Sequence, residues 1–112
     1  MIRIIEVGPR DGLQNEPTPV STQEKLEFIA GLARAGLREI EATSFVSPKW
    51  VPQLADSVEL WPQLPPGPFY SALVPNRRGL ETALSLGVGR IALFTGATDG
   101  FVSKNINMTV AE

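Results

Sequence analysis

A cluster of polar side chains lies near the start of the chain, in the segment EVGPRDGLQNE at residues 6–16, directly after an apolar run. Arg10 and Asp11 are its groups best suited to chemistry. A carboxylate such as Asp11 is a hard oxygen ligand for a divalent cation, and a guanidinium such as Arg10 can offset the charge of a developing oxyanion. The segment is therefore a candidate site for metal-assisted chemistry in which negative charge develops.

A second carboxylate, Glu41, is expected to face this cluster from a strand predicted over residues 38–44. Side chains alternate along a strand, so one set packs on helices and the other set faces the opposite side. The helix-facing set is Ile40, Ala42 and Ser44, and the opposite set is Glu39, Glu41 and Thr43. An ionised carboxylate on an inner face needs a cation or a metal beside it. On residue types alone, the favoured interpretation of Arg10, Asp11 and Glu41 is still a structural ion-pair network.

Composition excludes several classes of site and partner. The 112 residues contain no histidine and no cysteine, so this chain alone cannot build a Ser-His-Asp triad, a thiolate metal site or a disulfide. The net charge of −2 and the scattered arginines argue against nucleic-acid binding. No apolar run approaches the roughly 18 residues needed to span a bilayer, and a strand-like segment begins at Ile2, leaving no room for a leader. We expect a cytoplasmic protein with no nucleic-acid or membrane partner.

Apolar periodicity predicts the elements that position the polar groups. Strands are expected over residues 2–7, 38–44, 69–74 and 90–95, and helices over 21–36, 51–61 and 76–87. Ser21 and Glu24 form a capping box at the first helix, and Gly36 ends it. Asn76 begins the third helix. The weaker second helix is followed by a rigid connector at 63–68, and residues 108–112 resemble the start of a further helix.

Alternation of strands and helices predicts an α/β fold with parallel strands and right-handed crossovers. A doubly wound open sheet suits the length, because a (β/α)₈ barrel needs about 250 residues. The loops favour the barrel, since the polar and turn-forming residues follow the strands, whereas the helix-to-strand joins are short. In a barrel all the loops after strands meet at one rim, where active sites lie. The pattern fits the first four β/α units of a (β/α)₈ barrel.

Three motifs resemble the hydroxymethylglutaryl-CoA lyase family, a branch of the metal-dependent acyl-CoA lyases and synthases. They are VGPRDGLQNE at residues 7–16, EATSFVSPKWVPQ at 41–53 and KNINMT at 104–109, and the resemblance covers essentially the whole chain. It implies a (β/α)₈ barrel that cleaves 3-hydroxy-3-methylglutaryl-CoA into acetyl-CoA and acetoacetate. Related acyl-CoA-dependent synthases, oxo-acid aldolases of the same barrel group, and a non-catalytic half-barrel stay open as alternatives.

The resemblance also implies roles for individual residues. Asp11 matches a ligand of Mg²⁺ or Mn²⁺, and Arg10 matches an arginine that stabilises the enolate of the acetyl-CoA product. Glu41 is implied to orient Arg10, and Gln14 to lie near metal and substrate. The remaining implied substrate contacts are Ser44, Asn105 and Asn107. Lys49 and Trp50 could line the acyl-CoA approach, although a packing role for Trp50 is favoured.

Length is the main departure from the family. The family's other metal ligands, two histidines and an asparagine, follow the fourth strand and are expected from a C-terminal half that this chain lacks. One aspartate cannot satisfy a divalent ion that takes about six donors, so the chain alone should bind metal weakly. An open half-barrel also leaves unpaired strand edges. We therefore expect an N-terminal part of a single barrel domain, whose partner is a second copy or a complementary C-terminal half.

Overall fold

The computed structural model describes residues 2–94, which alternate helices with the strands of a parallel sheet. The strands are β1 (Glu39–Ser44), β2 (Phe69–Leu73) and β3 (Ile91–Ala92), and the α-helices are α1 (Thr22–Arg34), α2 (Ser57–Leu60) and α3 (Arg77–Ser85). A π-helical turn spans Gly8–Gly12, and 3₁₀ turns span Pro52–Leu54 and Trp61–Gln63. The predicted alternation is confirmed.

The capping signals in the sequence define α1 and α3. Ser21 accepts from the backbone N–H of Glu24, whose side chain accepts in return from the Ser21 N–H, so the predicted capping box is confirmed. Asn76 caps α3 by accepting from the Gly79 N–H at 2.9 Å. After α1 the chain turns at Gly36, whose φ of 95° is a conformation that favours glycine. Local side-chain chemistry therefore fixes where these two helices begin and where α1 ends.

Three predicted elements differ from the structure. The strand expected over residues 90–95 forms only at Ile91–Ala92 within the described residues. The strand expected over residues 2–7 forms only a bridge, in which the Glu6 N–H donates to Glu39 O and the Glu41 N–H donates to Glu6 O. The edge of residues 2–7 that faces away from β1 pairs with no other part of residues 2–94. Ile2 and Ile4 are exposed, so no packing contact extends the bridge into a longer strand. The helix expected over 51–61 is broken into two 3₁₀ turns around a single α-turn, with a proline in the first turn of each 3₁₀ segment.

The helices pack on one face of the sheet. Ile40 pairs in register with Tyr70, so β1 and β2 present Ile40, Tyr70 and Ala72 to the same side. Ile29 of α1 packs on Ile40, and Ala83 of α3 packs on Ala72. Trp61 contacts both groups of buried residues. The opposite face carries Glu41 and Ser71, which are register partners and are both buried.

A register shift between Glu41 and Thr43 changes the predicted faces of β1. After the shift Thr43 pairs with Ala72 and Ser44 pairs with Leu73. The Thr43 hydroxyl lies 2.5 Å from the Ser57 hydroxyl of α2, which places Thr43 on the helix side. The prediction that Thr43 shares the face of Glu41 was therefore wrong, and so was the prediction that Ser44 faces the helices. Simple alternation fails here because a bulge adds one residue to one strand of the pair.

The acid sensitivity of the fold is expected to depend on Glu39 at the start of β1. Hydrogen bonds from Arg3 and then Arg90 lower the pKa of the Glu39 carboxyl from 4.5 to about 2. A lowered carboxyl pKa contributes stability that is fully present above pH 4.5 and is lost as the pH falls toward 2. We expect Glu39→Gln to flatten the fall in the free energy of unfolding between about pH 5 and pH 2, measured by urea titration. An unchanged slope in the variant would contradict this.

Two helical glycines should respond in opposite directions to alanine. A Cβ on Gly79 in α3 would lie 2.4 Å from Phe45 O, a backbone atom, whereas a Cβ on Gly31 in α1 would meet only Arg34 Nη2, at 3.8 Å. Gly79→Ala should destabilise the protein by about 1–3 kcal/mol through overpacking. Gly31→Ala should stabilise it by about 0.5–1 kcal/mol, because alanine is the better helix former. Urea midpoints that move in the same direction for both variants would refute the steric argument.

Candidate active site

The π-helical turn at Gly8–Gly12 carries the predicted arginine and aspartate. The Gly8 N–H donates to Glu6 Oε1 at 2.9 Å, and the backbone N–H groups of Arg10 and Asp11 both donate to Val7 O. A Cβ on Gly8 would lie 2.9 Å from that Glu6 oxygen and 3.2 Å from Phe28 Cζ, so a larger residue would displace these side chains. Glu6 therefore helps to position the turn through its side chain.

Arg10 brings the predicted polar residues together. Its Nη1 lies 3.2 Å from Asp11 Oδ1 and 3.4 Å from Gln14 Oε1, and its Nη2 lies 3.4 Å from Glu41 Oε2. The Arg10 side chain is 17% exposed and that of Glu41 is 7% exposed. Since Glu41 faces away from the helices, the guanidinium lies over the inner face of the sheet. The structure therefore brings Arg10, Asp11, Gln14 and Glu41 together, as the sequence predicted.

The electrostatics of this cluster favour an additional positive charge. It contains one guanidinium and two carboxylates, so its formal charge is −1. Glu41 is nearly enclosed and is compensated by Arg10, whereas the Asp11 side chain is 57% exposed and open to another partner. The buried Arg10 Nε has no hydrogen-bond partner among residues 2–94. The cluster therefore has an accessible carboxylate for a cation.

A complete metal site is not formed within the described part of the chain. Residues 2–94 contain no group of three or more His, Cys, Asp or Glu side chains arranged to hold a metal ion. Asp11 fits a hard divalent cation by its chemistry and exposure, but it supplies only one side-chain ligand. Other ligands would have to come from outside this region.

The remaining predicted site residues are distributed unevenly. Ser44 is buried at the end of β1, where its hydroxyl donates to Leu73 O at 3.1 Å, and this leaves the hydroxyl oxygen free to accept. Gln14 is half-buried beside Arg10. Asn105 and Asn107 lie outside the described residues. The structure therefore groups Arg10, Asp11, Gln14 and Glu41, with Ser44 three residues further along the strand that carries Glu41.

A cleft of about 570 Å³ lies between the loop that follows β1 and the start of α3. Lys49 and Arg78 bring positive charge to its lining, and Asn76 adds a polar group. Trp50, for which packing was the favoured role, is 71% exposed and so does not anchor the loop. Sequence reasoning did not identify this cleft, although the proline-bounded segment SFVSPKW at residues 44–50 marks the loop that forms one wall.

Within residues 2–94, none of the helices has both the length and the apolar character required to cross a bilayer.

Comparisons with known proteins agree with the fold. A Pseudomonas aeruginosa protein named 3-hydroxy-3-isohexenylglutaryl-CoA/hydroxymethylglutaryl-CoA lyase is 47% identical over 113 residues, covering 99% of this chain and 38% of that protein. A Rattus norvegicus protein named 3-hydroxy-3-methylglutaryl-CoA lyase, cytoplasmic, is 50% identical and covers 99% of this chain and 33% of its own length. A Homo sapiens relative is named as mitochondrial. The chain thus spans roughly a third of the length of these relatives.

A solved structure shows the same architecture. An HMG-CoA lyase from Acinetobacter baumannii, in complex with coenzyme A and 3-methylmalate, aligns with a TM-score of 0.92 at 37% identity, covering 99% of this chain and 37% of that one. The predicted first part of a barrel is therefore confirmed. The family model described as HMGL-like matches residues 1–112. The resemblance seen in the motifs is confirmed, and the chain belongs to the HMGL-like family.

Proposed function

We propose that this chain is the N-terminal part of a carbon-carbon lyase that cleaves 3-hydroxy-3-methylglutaryl-CoA into acetyl-CoA and acetoacetate. The observation that carries the proposal is the Arg10 guanidinium, held over the inner face of the sheet between Asp11 and the buried Glu41. This chain together with the remaining part of the family's barrel forms the complete barrel. The activity belongs to that complete barrel.

The reaction needs a fixed positive charge at one position. The 3-hydroxyl loses its proton to a base, the C2–C3 bond breaks, and C3 becomes the ketone of acetoacetate. The electron pair of the broken bond passes to the thioester enolate, which takes up a proton at C2 to give acetyl-CoA. Negative charge therefore develops on the thioester oxygen, where the positive charge of the Arg10 guanidinium would stabilise it.

Glu41 and Gln14 act on the orientation of Arg10. Glu41 is a poor direct participant because its side chain is 7% exposed, but its carboxylate faces one side of the guanidinium. Gln14 contacts the nitrogen that also faces Asp11. A guanidinium held from two sides has less freedom to lose when substrate binds, which favours reaction. We propose that three further residues contact the acyl group. They are Ser44 and, outside the described residues, Asn105 and Asn107.

A divalent metal ion, Mg²⁺ or Mn²⁺, is proposed to be held in part by Asp11. The exposed carboxylate suits such an ion, and the cluster's net negative charge favours it. When bound, the ion would supply a Lewis acid that polarises substrate oxygens. Further ligands would come from the C-terminal half of the complete barrel. That half would also cover the exposed apolar residues at the two sheet edges, including Ile4 and Leu93.

The acyl group is the least determined part of the substrate. The Pseudomonas aeruginosa relative carries a name with two acyl groups, methylglutaryl and the longer isohexenylglutaryl. We propose the methyl substrate, and the isohexenyl substrate is the second candidate. The cleft beside Lys49 and Arg78 would accept part of the CoA moiety, since both side chains are cationic. A cytoplasmic location is proposed, supported by the name of the rat relative.

A substrate panel tests this function. The complete barrel would be incubated with Mg²⁺ and each of the two acyl-CoA substrates, and acetyl-CoA release would be followed by mass spectrometry. In condensation controls for the synthases of the same barrel group, acetyl-CoA would be supplied with pyruvate or with a larger 2-oxo acid. Cleavage of the methyl substrate with no condensation supports the proposal. Condensation without cleavage would assign the chain to a synthase instead.

A further inference from the structure

Lys25 is a buried cation that the proposed reaction does not use. It lies in the first turns of α1 with its side chain 4% exposed. Its Nζ donates to Asp56 Oδ1 at 2.6 Å and to Gln53 O at 2.5 Å. Both partners lie in the segment after β1, so the ammonium joins α1 to the loop that forms one wall of the cleft.

The same segment is tied to the end of β1 on its other side. Ser57, the neighbour of Asp56, donates to Ser44 O at 2.7 Å and lies 2.5 Å from the Thr43 hydroxyl. The second oxygen of Asp56 accepts from the Thr22 hydroxyl at 2.5 Å. A continuous set of contacts therefore runs from α1 through residues 56 and 57 to the residue proposed to touch the acyl group.

A further contact reaches the loop that carries Arg10 and Asp11. Gln53, whose carbonyl accepts from Lys25, donates through its side-chain Nε2 to Glu16 O at 3.3 Å. Residue 16 lies in the loop that joins the π-helical turn to α1. Lys25 thus lies where the two loops that contain the candidate site meet.

We propose that Lys25, through Asp56 and Gln53, is a positioning residue that fixes the β1–α2 loop against α1 and so sets the place of Ser44 and of the cleft wall. Burying an ammonium is costly, and an apolar side chain of similar size would fill the same volume without that cost. What the ammonium adds is two directed hydrogen bonds to one loop. The inference rests on the proposed function for its kinetic readout only.

The test uses the double variant Lys25→Met with Asp56→Asn in the complete barrel. It removes both charges together, so no buried charge is left unpaired, and the amide oxygen introduced by Asp56→Asn can still accept from Thr22. The control is Glu39→Gln, which removes the ion pairs of Glu39 with Arg3 and Arg90 at the start of β1, the end of the strand away from Ser44. Hydrogen exchange followed by mass spectrometry reports loop order, and steady-state kinetics report KM and kcat.

The double variant should exchange its amides in residues 44–56 about tenfold faster than wild type, while those of α3 stay unchanged. The KM should rise by about tenfold with kcat changed by less than about threefold, since the loop binds substrate and Arg10 is untouched. The control should show neither change. Unchanged exchange in residues 44–56, or acceleration spread evenly over the chain, would overturn the inference. If the complete barrel cleaved no substrate, the proposed function would fail, and the exchange data would still decide the role of Lys25.

Discussion

Replacing Arg10 with glutamine is expected to lower kcat for cleavage of 3-hydroxy-3-methylglutaryl-CoA by the complete barrel by about 10²- to 10³-fold. Arg10 is the only cation that contacts Asp11 and Glu41 among residues 2–94, so no neighbour replaces its charge. The effect should fall on kcat more than on KM, because the negative charge on the thioester oxygen develops in the transition state. Single-turnover measurement of acetyl-CoA formation gives the rate directly.

Two controls separate chemistry from folding in this experiment. Arg34→Gln removes an arginine at the end of α1, away from the cluster, and should leave kcat within about twofold of wild type. Arg10→Lys keeps the charge but loses the planar fork that reaches Asp11 and Glu41 together, so it should recover only part of the rate. A folded Arg10→Gln enzyme with near-normal kcat would show that the guanidinium is a structural ion-pair partner only.

Replacing Asp11 with asparagine is expected to weaken Mn²⁺ binding to the complete barrel by at least about 100-fold. Loss of a group that merely supports a metal ligand already costs about 10- to 100-fold in affinity, and Asp11 is proposed to be a ligand itself. Its exposed carboxylate is also one of two negative charges in a cluster with a single guanidinium. Titration followed by the electron paramagnetic resonance of free Mn²⁺ measures the affinity.

The matched control for that titration is Glu27→Gln, an exposed carboxylate on α1 whose side chain accepts from Gln23. It loses the same charge from the same region and should bind Mn²⁺ as wild type does. If Asp11→Asn and Glu27→Gln shift the affinity equally, the effect is one of net charge, and Asp11 is not a ligand. Fold loss is monitored by circular dichroism in all three proteins.

The sequence predicted the elements whose formation depends on local chemistry. The Ser21 capping box and the Asn76 cap are contacts within a few residues, and α1 and α3 begin where those residues lie. The segment at residues 2–7 has the composition of a strand, but a strand also needs a neighbour on its edge, and composition does not encode that neighbour. The bulge after Glu41 was missed because alternation assumes regular pairing.

The candidate site was predictable to a similar extent. Arg10 and Asp11 follow the segment whose Glu6 bridges to Ile40, and Glu41 is the next residue of β1, so the parallel arrangement brings them together. Their proposed roles came from the resemblance and not from spacing. The contact between Lys25 and Asp56 joins residues 31 positions apart on a helix and a loop, and no periodicity marks such a pair. The cleft beside Lys49 likewise depends on how α3 packs against the loop after β1.

The most direct test compares metal-dependent cleavage by the complete barrel with that by the 112-residue chain alone. Both would be given 3-hydroxy-3-methylglutaryl-CoA with Mg²⁺, and a parallel sample of each would contain EDTA. We predict turnover by the complete barrel that EDTA abolishes, and no turnover by the isolated chain, because Asp11 is the one metal ligand it is proposed to supply. Turnover by the isolated chain, or turnover by the complete barrel that persists in EDTA, would contradict a metal-dependent site completed by the C-terminal half.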